Sequence, residues 1–533
     1  MKSSHDAIII GAGHNGLTCA AYLAAAGLQV LVLERRGVVG GAAVTEEFHP
    51  GFRNSTASYT VSLLAPEIIR DLRLARHGLE IIERPFSNFL PLPEGESLRV
   101  GGGLAATQAE VARFSRRDAE ALPGYYARLE AVAEVLRTLA RETPPNVEGG
   151  WRDWLRAGLL GRRLAALPLT AKRDAWELFT KSAGEMLDAY FESAPLKAAF
   201  GFDAVVGNYA SPYAPGSAYV LLHHVFGEVN GKRGIWGHAR GGMGAITQAM
   251  AKEAQARGAS IVVDAPVAKV LLREGRCTGV ALTDGREFLA PRIISNLNPK
   301  LLCRDLLEPS DLPEDCRQRM HAYACGSGTM RLNVALAELP DFGCAPGKDA
   351  APHHRSGIVM APSLAYMDRA YDDARREGAA REPIVEMLIP SIIDDSLAPP
   401  GQHVASLFCQ HFAPTLPQGR NWDEEKAQAV ERIFEVVQSH APNFRASLLG
   451  YRALSPLDLE RDFGLLGGDI FHGRLSLDQL FSARPVLGHA DYRLPVKGLY
   501  LCGSGAHPGG GVSGLPGRNA AREILRDAKK RFS

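Results

Sequence analysis

The 533-residue chain lacks an excess of charge of either sign, since 60 Lys and Arg residues stand against 59 Asp and Glu residues. Phosphate recognition needs uncompensated basic residues, so this balance argues against nucleic acid as a partner. The chain also lacks an uninterrupted apolar run of ~18 residues, which a membrane-spanning helix would need. Asp6 is followed directly by an apolar run, which leaves no room for a signal peptide, so we expect a cytoplasmic protein.

The cysteines are few and show no motif. The eight cysteines include no CxxC pair and no zinc-site spacing. A disulfide reductase needs a redox-active pair of cysteines, which the sequence does not predict. We expect buried free thiols in a reducing compartment. No metal site is predicted, because the adjacent His353 and His354 have no partner at ligand spacing.

What the sequence does contain is a βαβ opening. Ala7 to Ile10 predicts a buried strand, the segment GAGHNG follows at 11–16, Leu17 to Ala26 predicts a helix, and Leu28 to Leu33 predicts a second strand. In such a unit the three glycines allow a tight turn, approach of backbone to a pyrophosphate, and close packing of helix on strand. Glu34, at the end of the second strand, is placed to bind a ribose. The opening therefore predicts a dinucleotide site.

The rest of the chain alternates in character. Residues 105–235 are mainly helical, and strand patterns return over 259–295, where Asp284-Gly285 predicts a hairpin turn. Residues 300–490 are mixed, with a helix predicted at 422–439. A strand at 499–502, a glycine-rich loop and a helix from about 518 to 531 end the chain.

Two further segments carry a resemblance to a known family. Gly40-Gly41-Ala42-Ala43-Val44-Thr45 is similar to the second glycine pair of flavoproteins of the amine oxidase and phytoene desaturase type. The segment GLYLCGSGAHPGGGVSG, at 498–514, resembles their C-terminal flavin-contacting motif. With the opening, these motifs identify the chain as a member of the phytoene dehydrogenase-related FAD-dependent oxidoreductases.

The resemblance implies an α/β fold with two parts. A Rossmann-type FAD-binding domain would be formed by residues 1–104, 236–299 and 490–533, and an inserted mixed α+β substrate domain by 105–235 and 300–489. The FAD-binding residues that the resemblance implies are Gly11, Gly13, Gly16, Glu34, Gly40, Gly41, Val267, Gly503, Ser504, Gly510, Gly511 and Val512. The backbone of Val267 would meet the adenine.

The sequence departs from the family pattern at two positions. Phytoene desaturases usually have Arg after the second glycine pair, where this chain has Ala42, and many relatives have an acidic residue where it has Ser504. Backbone N–H groups and the helix dipole still supply most of the phosphate binding, so we expect FAD to be bound. Carotenoid desaturation does not follow from the resemblance.

The expected reaction is desaturation, dehydrogenation or isomerisation of a hydrophobic substrate, an isoprenoid or a lipid, by hydride transfer to the flavin. Without an internal nicotinamide domain, an external electron acceptor is expected. One alternative is an oxygen-using oxidase of amines or other small molecules. Another is a non-catalytic lipid- or protein-binding member, since Rab GDP-dissociation inhibitors resemble this fold, but the retained segment 503–517 argues against it.

Several side chains are candidates for catalysis. Tyr59 follows the N-terminal flavin loop and His507 lies within the C-terminal one, while His223, His224 and His238 could also lie near the flavin. A packing role is the alternative for each of these side chains.

The segment Trp151 to Arg173 combines six Arg or Lys residues and one Asp with Trp and Leu. It predicts either contact with an anionic membrane surface, as a peripheral protein makes, or an ordinary amphipathic helix interrupted at Gly161 and Pro168. Assembly into a homo-oligomer is left open by the sequence.

Overall fold

The computed structural model describes residues 5–529. The α-helices are α1 (His14–Ala25), α2 (Pro66–Asp71), α3 (Leu104–Val111), α4 (Arg116–Ala140), α5 (Trp151–Ala166), α6 (Leu169–Thr180), α7 (Ala183–Tyr190), α8 (Ala194–Val205), α9 (Ser217–Val225), α10 (Gly244–Ala256), α11 (Pro299–Asp305), α12 (Glu314–Ala322), α13 (Leu364–Glu377), α14 (Trp422–His440), α15 (Pro456–Phe463) and α16 (Leu515–Asp527).

The strands are β1 (Ala7–Ile10), β2 (Val30–Leu33), β3 (Thr45–His49), β4 (Phe52–Ser55), β5 (Ile81–Glu83), β6 (Phe86–Pro91), β7 (Ser97–Gly101), β8 (Glu228–Val229), β9 (Lys232–Arg233), β10 (Gly237–Ala239), β11 (Ser260–Val262), β12 (Val267–Arg273), β13 (Arg276–Leu282), β14 (Glu287–Leu289), β15 (Ile293–Ser295), β16 (Thr329–Leu336), β17 (Gly357–Met360), β18 (Ala379–Leu388), β19 (His403–Phe412), β20 (Leu448–Leu454) and β21 (Leu499–Leu501).

A five-stranded parallel sheet joins the two ends of the chain. Its strand order is β11-β2-β1-β15-β21, and Ile8 of β1 pairs with Leu31 on one side and Ile293 on the other. Every residue of β1 and β2 is buried, as expected for parallel strands covered on both faces. Helix α1 crosses from β1 to β2 and packs against α10 and α16. The carboxyl ends of these strands form one edge, where a dinucleotide site is expected.

A second, larger sheet has seven strands in the order β20-β16-β19-β18-β17-β6-β7. All eight residues of β16 are buried, and it pairs antiparallel with β19 and β20. Helices α13 and α14 pack on β18, and α8 packs on β6. Strands β6 and β7 lie within the range 1–104 but pair in this sheet, through a parallel contact of β6 with β17. The proposed division of the chain into domains stays a prediction.

The sequence patterns predicted most elements correctly but misplaced some boundaries. Gly161 does not interrupt α5, which ends only before Pro168, because a single glycine lowers helix stability without removing a hydrogen bond. Helix α16 begins at Leu515 rather than near 518, with Pro516 in its first turn, where the missing N–H of proline is tolerated. In the part of the chain that is described, no helix is both long and apolar enough to span a bilayer.

Candidate functional site

A cleft of about 1150 Å³ lies at the carboxyl edge of the parallel sheet. Six of the sequence-predicted FAD-binding residues line it: Gly11, Gly13, Glu34, Gly41, Val267 and Ser504. They come from four separate parts of the chain and meet where β1 and β2 end and where β12, a strand of a separate three-stranded sheet, begins. The fold thus brings the fingerprint, the acidic residue and the C-terminal motif into one site.

The Glu34 carboxylate is held by backbone donors at the end of β2. Its Oε2 accepts a hydrogen bond of 2.7 Å from the N–H of Ala12, and its Oε1 accepts one of 3.0 Å from the N–H of Arg36. The side chain is buried but still lines the cleft. A carboxylate oriented in this way keeps lone pairs available for the hydroxyls of a ribose.

The fingerprint needs glycine at these positions because neighbouring atoms lie too close for a side chain. A Cβ on Gly16 would lie 2.2 Å from the carbonyl oxygen of Gly11, and a Cβ on Gly13 would lie 2.7 Å from the Asn296 side chain. Gly41 has φ +56°, and a Cβ on this residue would lie 3.3 Å from the Cα of Gly13. A loop this compact leaves room for phosphates beside the first turn of α1, whose N–H groups favour an anion.

The C-terminal motif closes the cleft from the other side. A Cβ on Gly503 would lie 2.6 Å from the Asn296 carbonyl oxygen, and the Ser504 hydroxyl accepts a 3.1 Å hydrogen bond from Asn15 Nδ2. The guanidinium of the fully buried Arg484 donates to the Ser504 carbonyl oxygen at 2.8 and 3.1 Å. These hydrogen bonds hold the loop in position at the side of the cleft.

The sequence analysis missed two residues of this cleft. Asn296 follows β15 and faces both Gly13 and Gly16, but a lone Asn after a strand carries no recognisable pattern. Arg36 also lines the cleft, and its buried Nη1 has no hydrogen-bond partner among the described residues. An unsatisfied guanidinium nitrogen in a cleft of glycines, beside a ribose-type carboxylate, fits a dinucleotide such as FAD.

A second cavity of about 1050 Å³ lies directly beside this cleft. His14, Ala42, His472 and Ser504 line both spaces. Burial, reinforced by the neighbouring His472, lowers the pKa of His14 to about 3, so the imidazole at this junction is neutral. We call this space the inner cavity. Its wall is largely apolar and includes Phe202, Val206, Trp236, Phe408, Leu465, Ile470, Phe471 and Val512.

Tyr59 lies in the inner cavity and belongs to a buried polar cluster. Its hydroxyl donates a 2.5 Å hydrogen bond to Glu386 Oε2, and its ring stacks on Phe408 with 5.3 Å between centroids. The Arg331 guanidinium lies 4.3 Å from the centre of the Tyr59 ring. Burial raises the pKa of Tyr59 well above its usual value, so the phenol is a donor and not a base.

Two further titratable groups, Arg84 and Asp203, complete this cluster, and both line the inner cavity. Burial raises the pKa of Asp203 to about 8, with the nearby Glu386 adding to the shift and Arg84 opposing it. The pKa of Glu386 is also raised by burial, against the attraction of Arg84 and Arg331. Apart from Tyr59, no sequence pattern indicated this cluster, because its members lie on separate elements. We call Tyr59, Arg84, Asp203, Arg331 and Glu386 the polar cluster.

His507 faces a different space. A third cavity of about 1200 Å³, the outer cavity, is lined by His507, Gly510 and mainly apolar side chains from α2, α4, α5 and α9. His507 Nε2 is 3.0 Å from the carbonyl oxygen of Leu139, and burial lowers its pKa to about 4. The structure thus separates the two predicted catalytic candidates, Tyr59 and His507. Only Tyr59 shares a cavity with residues of the FAD cleft.

The inner and outer cavities share a thin wall. Leu63 lines both, and a Cβ on Gly511 would lie 2.4 Å from Leu63 Cδ1 and 3.5 Å from His223 Nε2. Gly511 has φ +114° and Val512 has φ +57°, so this segment is held in a left-handed conformation. Neither ring nitrogen of the buried His223 has a hydrogen-bond partner in residues 5–529.

The remaining histidine candidates, His224 and His238, also lie in different places. His224 lines the inner cavity, where burial lowers its pKa to about 4. His238 lies outside it, with Nε2 2.8 Å from Asp394 Oδ2. Within residues 5–529, no group of three or more potential ligand side chains is arranged to hold a metal ion.

Two cysteines that are far apart in the sequence lie next to each other in the fold. Cys19 of α1 and Cys502 after β21 are both buried and contact each other, and burial raises the pKa of Cys502 well above its usual value. All eight cysteines are free. A buried pair of thiols that lines none of the three cavities described above is unsuited to disulfide exchange.

Comparison with known proteins places these features in a family. A family model described as flavin containing amine oxidoreductase matches residues 16–525. The chain is 43% identical to pyridine nucleotide-disulfide oxidoreductase domain-containing protein 2 of Rattus norvegicus, over 99% of this chain and 94% of the relative. It is 29% identical to the lycopene-forming phytoene desaturase of Pantoea ananas, over 96% of each. A putrescine oxidase bound to putrescine shares the fold, with a TM-score of 0.60 at 15% identity over 99% of each chain.

Replacing Gly13 with Val tests the assignment of the cleft. A branched side chain at this point would displace Asn296 and fill the path of the pyrophosphate, so we expect bound FAD to fall by about tenfold or more. The measurement is the ratio of visible flavin absorbance to protein absorbance after purification.

Gly124→Ala is the matched control, because a Cβ at that position of α4 meets nothing within 4 Å. A folded Gly13→Val variant that keeps as much FAD as this control would contradict the assignment.

Proposed function

Because the chain belongs to the family of flavin-containing amine oxidoreductases, we propose that it uses its FAD to oxidise or isomerise a largely apolar substrate held in the inner cavity. The family, the α/β fold and the cofactor expected from the sequence are confirmed. The chain is an FAD-dependent oxidoreductase. The class of substrate is our inference from the cavities.

The proposal is supported by an aromatic-lined cavity that lies directly beside the FAD cleft. The inner cavity shares four residues with the cleft, so a substrate there lies next to the cofactor site. Phe202, Trp236 and Phe408 offer flat apolar surface, and burial of such surface contributes roughly 25 cal/mol per Å². The desaturase relative is named for phytoene, which agrees with an apolar substrate.

Positioning is the main contribution of the chain to this chemistry. FAD, when bound, supplies a two-electron acceptor for a hydride. The cavity walls would hold a C–H bond near the cleft and exclude water, which favours hydride transfer through geometry. His14 and His472, which line the junction, have pKa values lowered by burial to about 3 and about 4. They are neutral at physiological pH and add no charge at the point of transfer.

The electrons must then leave the protein. In the described residues, only one sheet is wholly parallel and carries a glycine fingerprint, and its cleft is the FAD site. The described residues contain no second sheet of this kind that could bind a nicotinamide dinucleotide. This supports an external acceptor such as a quinone, oxygen or a partner protein.

Helices α5 and α6 offer a surface suited to an anionic membrane, from which an apolar substrate would reach the outer cavity. None of the side chains of α5 is buried, and Trp151 and Trp154 are each 72% exposed. Leu160 and Leu164 of the same helix line the outer cavity. The apolar side chains exposed on these two helices are Trp151, Trp154, Leu155, Leu159, Leu164, Leu169 and Trp176.

The charge of α5 matches such a surface. The helix has four Arg residues and one Asp, a combination of aromatic and basic side chains that is typical of helices lying in a bilayer interface. We propose peripheral contact of this face with an anionic bilayer.

The redox activity is tested on the purified holoprotein. Anaerobic photoreduction should bleach the visible flavin bands, and admitting either oxygen or a soluble quinone should restore them rapidly with one of the two. Rapid recovery with oxygen, together with bleaching by a simple amine, would favour the oxidase alternative over our proposal. A protein that takes up FAD but cannot be reduced would contradict catalytic function.

The membrane face is tested by co-sedimentation with vesicles of phosphatidylcholine containing phosphatidylglycerol. We expect wild type to bind, and the double variant Arg162→Glu, Arg163→Glu to lose most binding, since each basic side chain near an anionic surface contributes about 1 kcal/mol.

The control is Arg375→Glu, Arg376→Glu, which makes the same change of charge on exposed residues of α13. Equal binding of the two double variants would contradict the assignment of α5, as would absence of binding by wild type.

A further inference from the structure

The inner cavity contains a guanidinium whose bonding is incomplete. The Arg84 side chain lines the cavity and is only 9% exposed, yet its Nε and Nη1 atoms have no hydrogen-bond partner among the described residues. Its guanidinium carbon lies 5.6 Å from the centre of the Trp236 ring, so one neighbour is an aromatic ring. Leaving buried donors of a charged group unpaired is costly, which indicates that a ligand completes them.

Three other members of the polar cluster already have hydrogen-bond partners in the protein. Glu386 accepts the hydrogen bond of Tyr59, while Arg331 donates to the Leu407 carbonyl oxygen at 2.8 Å and to the Ser406 hydroxyl at 2.7 Å. The Nε and Nη1 atoms of Arg84 have no such partner in the described part of the chain, whereas in Arg331 only Nε lacks one. Arg84 is therefore the guanidinium of the cluster with the more open hydrogen-bonding capacity.

The charges of the cluster do not cancel at neutral pH. Arg84 and Arg331 remain protonated, as guanidinium groups do in proteins. Burial raises the pKa of Asp203 to about 8, so this carboxyl is largely protonated at neutral pH and the two guanidinium groups face at most one carboxylate, that of Glu386. An anion would therefore be favoured in this part of the cavity, and an ammonium group would be repelled.

We propose that the substrate carries a carboxylate that pairs with Arg84 through the guanidinium fork, while its apolar chain lies along Phe202, Phe408 and Phe471. This inference rests on the proposed function, since it names the class of substrate for the same cavity. A purely hydrocarbon substrate would leave Arg84 unpaired in an apolar environment. The planar guanidinium matches a carboxylate in two parallel hydrogen bonds, which would fix the position of the chain relative to the cleft.

Binding of three probes with the same chain but different head groups tests the proposal. Dodecanoate, 1-dodecanol and dodecylamine are titrated into the holoprotein by isothermal calorimetry, which does not depend on turnover. We expect dodecanoate to bind about tenfold tighter than the other two, as a charge-assisted bidentate contact allows. Affinities within threefold of each other for the three probes would overturn the proposal, even if the protein proves to be an active oxidoreductase.

Variants of Arg84 locate the preference. Arg84→Gln should weaken dodecanoate by about tenfold and leave 1-dodecanol within twofold, because only the charged contact is lost. Arg233→Gln is the control, since Arg233 is an exposed arginine that pairs with Glu130. Equal loss of both probes in Arg84→Gln, at unchanged FAD content, would overturn the role of Arg84. Should that variant misfold, Arg84→Lys keeps the charge, and the same selective loss is expected from removal of the fork.

The pH dependence of dodecanoate binding provides a second readout. Asp203 competes with the ligand for Arg84 when it is ionised, so affinity should fall as pH rises through about 8, where Asp203 loses its proton. Asp203→Asn should remove this fall. The groups that face Asp203 are Arg84, Glu386, Tyr125, Tyr126 and the His224 ring. A profile that stays flat in wild type, or an unchanged fall in Asp203→Asn, would contradict the competition.

Discussion

The structure depends on the approach of helix α1 to the end of strand β1. Gly16 lies against the Gly11 carbonyl oxygen so closely that a Cβ would be 2.2 Å away. This contact sets the first turn of α1 beside the edge of the parallel sheet, and Glu34, Gly41 and Ser504 are positioned around it. Without this approach the N–H groups of the helix would not face a phosphate, and the cleft would not form.

The inner and outer cavities differ in the polarity of their walls. The outer cavity lies under α5 and α4 and is mostly apolar, whereas the inner cavity combines aromatic walls with the polar cluster. A molecule with an apolar chain and a charged end would gain from both kinds of surface. The thin wall at Leu63 and Gly511 separates them, so passage from one to the other requires side chains there to move.

How much could be read from the sequence follows from the range of the interactions. The glycine fingerprint and Glu34 act within one βαβ unit, so local spacing predicted them, and the C-terminal motif was found because its sequence resembles that of a family. The polar cluster was not predictable in this way. Arg84, Asp203 and Glu386 lie just before β6, on α8 and on β18, and only the packing of α8 on the seven-stranded sheet brings them together. His507 shows the converse, since its place in a flavin motif suggested catalysis while its ring faces the outer cavity.

The most direct test of the account is anaerobic reduction of the holoprotein by lipids separated into acidic, neutral and basic fractions. We predict that the acidic fraction bleaches the visible flavin band and that Arg84→Gln slows this bleaching. Bleaching by the neutral or basic fraction alone would contradict the assignment of a carboxylate-bearing apolar substrate.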